Sequence, residues 1–292
     1  MTDPDYNKQT SRHKPAARWA ARAAILAILV CLVAALLGIS AGVDSGSRAL
    51  AYLGMLILGP VFTWFLVWSL TKTLERSAES KERERAGAPG AIDTVVFDIG
   101  NVLTDYAWRD WLESAGYPAD ITERIAQAAF LSPVWNEIDR GVWSQEQFLD
   151  ALVRNDPGIE TEIRSVFSRS MKGLVTRRDR AIPWIRELKA AGYRVLYLSN
   201  FSARVFADCA EALDFIPETD GGILSYREQL IKPDEAIYRL LTGRFGLTPS
   251  RAVFIDDRQE NVEAAQACGF RGIVFETQEQ TECALKSLQV EY

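Results

Sequence analysis

Residues 92–103 read IDTVVFDIGNVL, and this segment joins an apolar run to a polar residue. The run from Val95 to Phe97 is apolar at consecutive positions, which is typical of a strand covered on both faces. Asp98 follows at once, where the strand is predicted to end. Because parallel sheets bind ligands beyond the carboxyl ends of their strands, Asp98 falls at a candidate site.

The remainder of residues 91–292 alternates short apolar runs with amphipathic segments. This alternation predicts an α/β domain built on a mainly parallel, Rossmann-like sheet with right-handed crossovers. The later predicted strands are residues 193–198 (YRVLYL), 223–224, 252–255 (AVFI) and 272–275 (GIVF), with helices at 180–191 and around 260–268.

Polar side chains follow the predicted strands at the same edge of the sheet. Ser199 and Asn200 follow YRVLYL, Asp256 and Asp257 follow AVFI, and Lys232 precedes a helix that leads to AVFI. Carboxylates suit Mg²⁺, hydroxyl, amide and ammonium groups suit a phosphoryl group, and an aspartate between them can attack phosphorus. Each residue alone also fits a strand end, a turn or a helix N-cap, so it is their order that indicates a site.

Four segments in this order, FDIGNVL, LYLSNFS, LIKPDEAIY and VFIDDRQENVEAA, resemble the four motifs of the haloacid dehalogenase-like superfamily. The resemblance covers about residues 92–280. FDIGNVL and the stretch from LSY to LIKPDEAIY are most similar to the branch that contains alpha-glucose-1-phosphate phosphatase. The resemblance implies a Mg²⁺-dependent hydrolase that cleaves a small phosphomonoester through an aspartyl-phosphate, with sugar phosphates among the candidates.

The resemblance also implies which residues hold the metal. Asp98 matches the nucleophile and a metal ligand, and Gly100 can offer its backbone carbonyl to the metal. Asp257 matches the main second carboxylate of the metal site, and Asp256 matches the acidic neighbour that supports it. Asn261 falls where many relatives have a further carboxylate.

Three further residues match the phosphate-binding and catalytic positions of the family. Ser199, with its neighbour Asn200, matches the phosphate-binding position. Lys232 matches the catalytic lysine that holds phosphate and offsets the clustered negative charge. This interpretation of Lys232 depends on the resemblance, since a lysine before a proline is ordinarily a solvated loop residue.

Position 100 departs from the family pattern. Many phosphatases of the superfamily have an Asp there as general acid and base, whereas this chain has Gly100. A glycine cannot protonate a leaving group, and losing acid catalysis costs a factor of about 10²–10⁴ in rate. Asp105 is a nearby carboxylate that could substitute, but the sequence favours a surface role for it. Gly100 therefore keeps open a second hypothesis, a weakly active or inactive phosphate-binding or scaffold module at the membrane.

The composition of the chain argues against several classes of function. The net charge is −6 at pH 7, so we expect no binding to nucleic acid. The single histidine, His13, lies in the N-terminal tail, which excludes catalysis that needs an imidazole in the folded domain. The four cysteines form no CxxC pair and are expected to be reduced thiols.

A dehalogenase shares the nucleophilic aspartate but needs neither the metal nor the pair Asp256-Asp257, and it stays an alternative.

The segment between the first and second motifs, from about residue 106 to 178, is predicted to form a small helical cap that closes over the site. Its predicted helices are residues 121–129, 145–153 and 159–168. Four tryptophans fall in this segment, and we expect most of them in the core of the cap: Trp108, Trp111, Trp135 and Trp143.

Two uncharged apolar stretches, residues 23–43 and 49–70, precede the domain. Each has about the 20 residues that a helix needs to cross a bilayer, and the short connection between them allows a helical hairpin. The alternative for the first stretch is a cleaved signal peptide.

Basic residues flank this predicted hairpin on both sides. The tail at 1–22 carries five Lys or Arg residues, and the linker at 71–90 is highly charged with mixed sign. By the positive-inside rule, we expect the N-terminus and the hydrolase domain in the cytoplasm of a multi-pass protein of the cell membrane, inner or plasma. The expected partners are a small phosphorylated substrate and the membrane, and no oligomeric state follows from the sequence.

Overall fold

The computed structural model describes residues 64–65, 67–73 and 91–292, and the chain divides into two compact units, Met1–Lys81 and Glu82–Tyr292. In the first unit, residues 64–65 and 67–73 are helical. Within the described ranges, no helix is long and apolar enough to cross a membrane.

Most of the predictions for the N-terminal part of the chain concern residues that the structure does not describe. The basic tail at 1–22 and the first span at 23–43 lie outside the described residues, as do most of the second span at 49–70 and most of the linker at 71–90. The hairpin, its orientation and the membrane localisation therefore stay predictions.

The strands within residues 91–292 are β1 (Thr94–Phe97), β2 (Thr104–Tyr106), β3 (Val175–Arg177), β4 (Arg194–Ser199), β5 (Gly222–Leu224), β6 (Ala252–Asp256) and β7 (Arg271–Val274). Five of them form a parallel sheet in the order β5-β4-β1-β6-β7, which confirms the predicted α/β class. At the end of β1, Phe97 is in register with Tyr197 on one side and with Ile255 on the other. The carboxyl ends of β1, β4 and β6 therefore meet at one edge, as predicted.

The α-helices of this unit are α1 (Trp108–Glu113), α2 (Ala119–Ala128), α3 (Val134–Arg140), α4 (Gln145–Asn155), α5 (Glu160–Ser168), α6 (Ala181–Ala190), α7 (Ala203–Asp208), α8 (Ser225–Glu228), α9 (Glu235–Phe245), α10 (Gln259–Ala267) and α11 (Gln278–Ser287). Short 3-10 turns lie at Pro157–Ile159, Ala210–Leu213, Ile216–Glu218 and Pro249–Arg251. The predicted helices at 121–129, 145–153 and 159–168 correspond to α2, α4 and α5, whereas α1 and α3 were not predicted.

Side chains of the central strand alternate between two apolar cores. Val95 and Phe97 belong to the larger core, and Val96 belongs to the smaller core on the opposite face. Helices α6 and α11 contribute to the larger core, and α9 and α10 contribute to the smaller one. Both faces of the sheet are thus covered, which is why the strand needs consecutive apolar residues.

Helices α1 to α5 lie between β2 and β3 and form the cap. β2 and β3 pair antiparallel as a separate sheet, with Tyr106 opposite Val175. The sequence did not predict this pair, because strands of three residues are too short to show a period. Since Trp111 and Trp135 are buried in the core, they pack as expected for cap residues.

Candidate active site

Asp98 lies directly after β1 and is buried. Its Oδ1 accepts hydrogen bonds from the Ile99 N–H at 2.7 Å and from the Lys232 ammonium at 2.8 Å. Among the described residues, no donor hydrogen-bonds to Oδ2, and Asp98 lines a cavity of about 200 Å³. One carboxylate oxygen is therefore held in place while the other remains available for attack on a substrate.

Lys232 is buried between two carboxylates. Its Nζ lies 2.8 Å from Asp98 Oδ1 and 2.6 Å from Asp256 Oδ2. Burial lowers the pKa of Lys232, but the charges of Asp256 and Asp98 outweigh it, and the net shift is upward. Lys232 is therefore a permanent cation of the site.

Asn200 positions this lysine from the end of β4. Its Nδ2 donates to the Lys232 carbonyl at 3.0 Å, and its Oδ1 accepts from the Lys232 N–H at 2.8 Å. The Asn200 amide, which was predicted to bind phosphate, thus has its carbonyl oxygen and one N–H hydrogen-bonded to the backbone of Lys232. Ser199 is buried beside it and lines the cavity, and among residues 91–292 its hydroxyl makes only a long contact of 3.5 Å with the Asn200 carbonyl. Ser199 is free to turn its hydroxyl toward a bound anion.

Asp98, Asp256 and Asp257 form a carboxylate cluster, with one oxygen of each within 4.8 Å of the others. Burial raises the pKa of Asp98 to about 7, even though Lys232 opposes the shift, and burial also raises the pKa of Asp257. Three carboxylates around a single ammonium carry excess negative charge in a buried place. The cluster therefore has the charge and the oxygen donors that a hard cation requires.

Asp256 and Asp257 differ in the number of hydrogen bonds that their carboxylate oxygens accept. Asp256 is fully buried, and its two oxygens accept from the Arg258 N–H at 2.9 Å, from Asn261 Nδ2 at 3.0 Å and from Lys232. Asp257 accepts from Asn101 Nδ2 at 2.8 Å. Asp257 thus keeps more acceptor capacity for a metal, in agreement with the predicted order of the two.

The residues around the cluster fit Mg²⁺. The donors are carboxylates, which Mg²⁺ prefers. Gly100 lines the same cavity, and its predicted contribution to the metal is its backbone carbonyl oxygen. Asn261 Oδ1 is buried and accepts no hydrogen bond within the described part of the chain. This oxygen is an acceptor that a metal-bound water can fill, so the donor set and its surroundings agree with the predicted cofactor.

Asp105, the predicted substitute acid, does not lie at the cavity. It is exposed on β2, where it forms an ion pair with Arg178 at 2.7 Å. Because side chains alternate along a strand, Asp105 faces solvent and its neighbour Tyr106 faces the cavity. The surface role that the sequence favoured for Asp105 therefore agrees with the structure, and the residue is not placed to act as a substitute acid.

The cap contributes cavity residues that the sequence analysis missed. The cavity that Asp98 lines is also lined by Phe130, Trp135, Asn136 and Asp139. Trp135 was expected mainly as a residue of the cap core, and it is buried there and also reaches this lining. Trp135 and Asp139 are four residues apart on α3 and so share one face of the helix, a spacing that could have indicated their common direction.

The chain is similar to known hydrolases in sequence and in fold. A family model described as haloacid dehalogenase-like hydrolase matches residues 92–269. Sesquiterpene phosphatase astK of Aspergillus oryzae is 28% identical over 61% of this chain and 87% of that protein. Phosphatase MT3486 of Mycobacterium tuberculosis is 26% identical over 65% of this chain and 90% of that protein. A HAD-like family hydrolase from Porphyromonas gingivalis shares the fold, with a TM-score of 0.51 and 24% identity over 69% of this chain and 99% of that chain.

Proposed function

The chain belongs to the haloacid dehalogenase-like hydrolase family and is therefore a hydrolase, and we propose that it removes phosphate from a small phosphomonoester. The observation that carries this proposal is the Lys232 ammonium, which lies 2.8 Å from Asp98 and 2.6 Å from Asp256 beside Asp257. The relatives named as phosphatases support the same reaction class. Mg²⁺ is the cofactor that the carboxylate cluster fits.

Each residue of the site has its own role in this reaction. Asp98 Oδ2 attacks phosphorus and displaces the leaving oxygen as an alcohol, and water then hydrolyses the aspartyl-phosphate to phosphate and the Asp98 carboxylate. Lys232 and the Ser199 hydroxyl bind the phosphoryl oxygens and hold the phosphorus near Asp98. Asp98, Asp257, Asp256 and the Gly100 carbonyl would hold Mg²⁺, which would supply positive charge against the charge that develops on the phosphoryl group.

Two alternatives from the sequence analysis are less well supported. A dehalogenase does not need Asp256 and Asp257, yet both lie within the carboxylate cluster. A phosphate-binding scaffold would not need a nucleophile with one free oxygen, and Asp98 has such an oxygen at the cavity. The assay below also separates the scaffold from the enzyme, because a scaffold releases no phosphate.

The cavity lining favours a second substrate class besides the sugar phosphates. Phe130, Trp135, Val175 and Val205 line it with apolar surface, and one relative is named a sesquiterpene phosphatase. A phosphomonoester with an apolar chain would bury that chain against these side chains. Glucose 1-phosphate and a long-chain alkyl phosphate, compared by kcat/KM, discriminate between the two classes.

The experiment that tests the function follows phosphate release by the full chain, with Mg²⁺ and after chelation. We expect turnover that needs Mg²⁺ and a melting temperature that rises with it, because a cation binds only the folded cluster. At about 100 times Kd this binding adds about 2.7 kcal/mol, which corresponds to a shift of about 5–10 °C. Asp257→Ala should abolish the shift, whereas Asp214→Ala, which removes an exposed partner of Arg177, should keep it.

Either of two results contradicts the proposal. Turnover that persists after chelation would show that the reaction does not need Mg²⁺. No phosphate release from any phosphomonoester in a broad metabolite screen favours the scaffold instead.

We also propose that the enzyme is tethered to the cell membrane by the hairpin predicted at 23–43 and 49–70, with the hydrolase domain in the cytoplasm. The uncharged stretches and their basic flanks support this topology. Reporter fusions at residue 46 and at the C-terminus should report opposite sides of the membrane. A C-terminal reporter found outside the cytoplasm would contradict the assignment.

A further inference from the structure

The reaction lacks an acid at position 100, where the family pattern places one. A Cβ added to Gly100 would meet no atom within 4 Å, so the position is open as well as uncharged. Protonation of the leaving oxygen must then come from another side of the cavity. The cap is the part of the chain that lines this cavity together with Asp98.

Asp139 is the carboxylate that α3 presents to this cavity. Its carboxyl group has no hydrogen-bond or ion-pair partner among the described residues. The adjacent Arg140 is engaged elsewhere, with Glu137 at 3.6 Å and with Asp234 at 3.1 Å. A half-buried carboxyl without a partner, on the wall of an active site, is unusual for a residue with a purely structural role.

The end of α3 is held firmly over the core. The Ser225 hydroxyl donates to the Asp139 carbonyl at 2.6 Å and accepts from the Phe201 N–H at 2.8 Å. Gly141 lies so close to Tyr226 that an added Cβ would fall 2.6 Å from its carbonyl oxygen. These contacts fix the position of Asp139 relative to the loop that follows β4.

Among the described residues, the charges of Asp98 and Lys232 in the core act on Asp139, and the charge of Asp139 acts on Tyr106 of β2. Burial raises the pKa of Asp139 to about 8, and Asp98 adds to the shift while Lys232 opposes it. Burial and the charge of Asp139 likewise raise the pKa of Tyr106, whose hydroxyl has no partner in the described structure. At neutral pH, Asp139 therefore holds the proton that an acid catalyst must supply.

We propose that Asp139 is the general acid and base of this enzyme, supplied by the cap in place of the missing residue at position 100. The proposal rests on the proposed phosphatase function. As Asp98 forms its bond to phosphorus, the bond from phosphorus to the leaving oxygen breaks, and the Asp139 carboxyl gives its proton to that oxygen. The products of this step are an alcohol, the aspartyl-phosphate and an Asp139 carboxylate. Water then attacks phosphorus, Asp139 accepts the proton of that water, and phosphate and the Asp98 carboxylate are released.

The test compares Asp139→Asn with the native full chain on two substrates. Glycerol 1-phosphate has a poor leaving group that needs a proton, whereas 4-nitrophenyl phosphate has a good one. We expect kcat/KM of Asp139→Asn to fall by about 10²–10⁴ on glycerol 1-phosphate and by less than about tenfold on 4-nitrophenyl phosphate. The matched control is Asp105→Asn, an exposed carboxylate on β2, which should leave both values near native.

Two further measurements separate acid catalysis from a structural role. Because the acid form of Asp139 exists below its pKa of about 8, native kcat/KM on glycerol 1-phosphate should fall as the pH rises through this value, and Asp139→Asn should lack the fall. The double variant Gly100→Asp with Asp139→Asn should regain part of the lost rate, since position 100 has room for a carboxylate.

Equal losses on the two substrates, or an unchanged pH profile in Asp139→Asn, would overturn the assignment of Asp139 while leaving the phosphatase function in place. Absence of phosphate release by the native chain from both substrates and from every phosphomonoester of the metabolite screen would overturn the proposed function itself, and the assignment with it.

Discussion

Replacing Asp98 with Asn should lower kcat by a factor on the order of 10⁴ or more, because it removes the nucleophile and preserves the shape of the side chain. An amide oxygen attacks phosphorus far more weakly than a carboxylate does. The amide oxygen can still accept the hydrogen bonds that Asp98 Oδ1 accepts from Ile99 and Lys232 at 2.7 and 2.8 Å. Phosphate release from 4-nitrophenyl phosphate with saturating Mg²⁺ measures the loss.

Asp93→Asn is the matched control for this substitution. Asp93 directly precedes β1, so it lies at the opposite end of the same strand, and its carboxylate pairs with Arg251 at 2.7 Å. We expect this variant to keep most of the native turnover. If Asp98→Asn retained more than about a hundredth of the native kcat, Asp98 would not be the nucleophile.

Replacing Lys232 with Met should lower the melting temperature by about 6–20 °C in the absence of Mg²⁺. The buried carboxylates of Asp98 and Asp256 then lose the ammonium that they share at 2.8 and 2.6 Å. Breaking a buried ion pair by removing one partner costs about 3–5 kcal/mol. For a domain of this size, each kcal/mol shifts the melting temperature by about 2–4 °C. Thermal unfolding of the full chain, followed by tryptophan fluorescence, measures the effect.

Mg²⁺ should restore part of the stability lost in Lys232→Met, because it returns positive charge to the same cluster. Lys189→Met is the control, since Lys189 pairs with Asp220 at 2.7 Å but is partly exposed. A partly exposed pair of this kind contributes about 0–1 kcal/mol, so this variant should melt close to the native protein. Equal melting of Lys232→Met and the native protein without Mg²⁺ would mean that Lys232 does not stabilise the cluster.

The sequence predicted the core of the site because parallel strands end at a common edge. Asp98 and Asp257 directly follow strands and Ser199 is the last residue of one, so the alternation of strands and helices alone brings them together. Lys232 is different, since it lies in a loop and no local pattern distinguishes it from a solvated lysine. Its position in the site was predicted only by resemblance to the family.

The cap side of the site was not predictable in the same way. Whether Asp139 faces the cavity depends on how α3 packs over the core, and that packing is set by contacts such as Ser225 with residues far away in the chain. Likewise, the pairing of β2 with β3 decides that Tyr106 faces inward and Asp105 outward. A three-residue strand carries too little periodicity to show this register in advance.

The antiparallel pair formed by β2 and β3 makes the cap an exchangeable module. The chain leaves the core at Tyr106 and returns at Val175, and these two residues are directly opposite each other in the pair. A foreign helical segment with the same end-to-end spacing can therefore be grafted between them without altering the register of the parallel sheet or the position of Asp98. Because Asp139 and the apolar lining residues Phe130 and Trp135 all belong to this segment, a graft would replace the leaving-group pocket and its proton donor in one step, while phosphate binding stays with the recipient core.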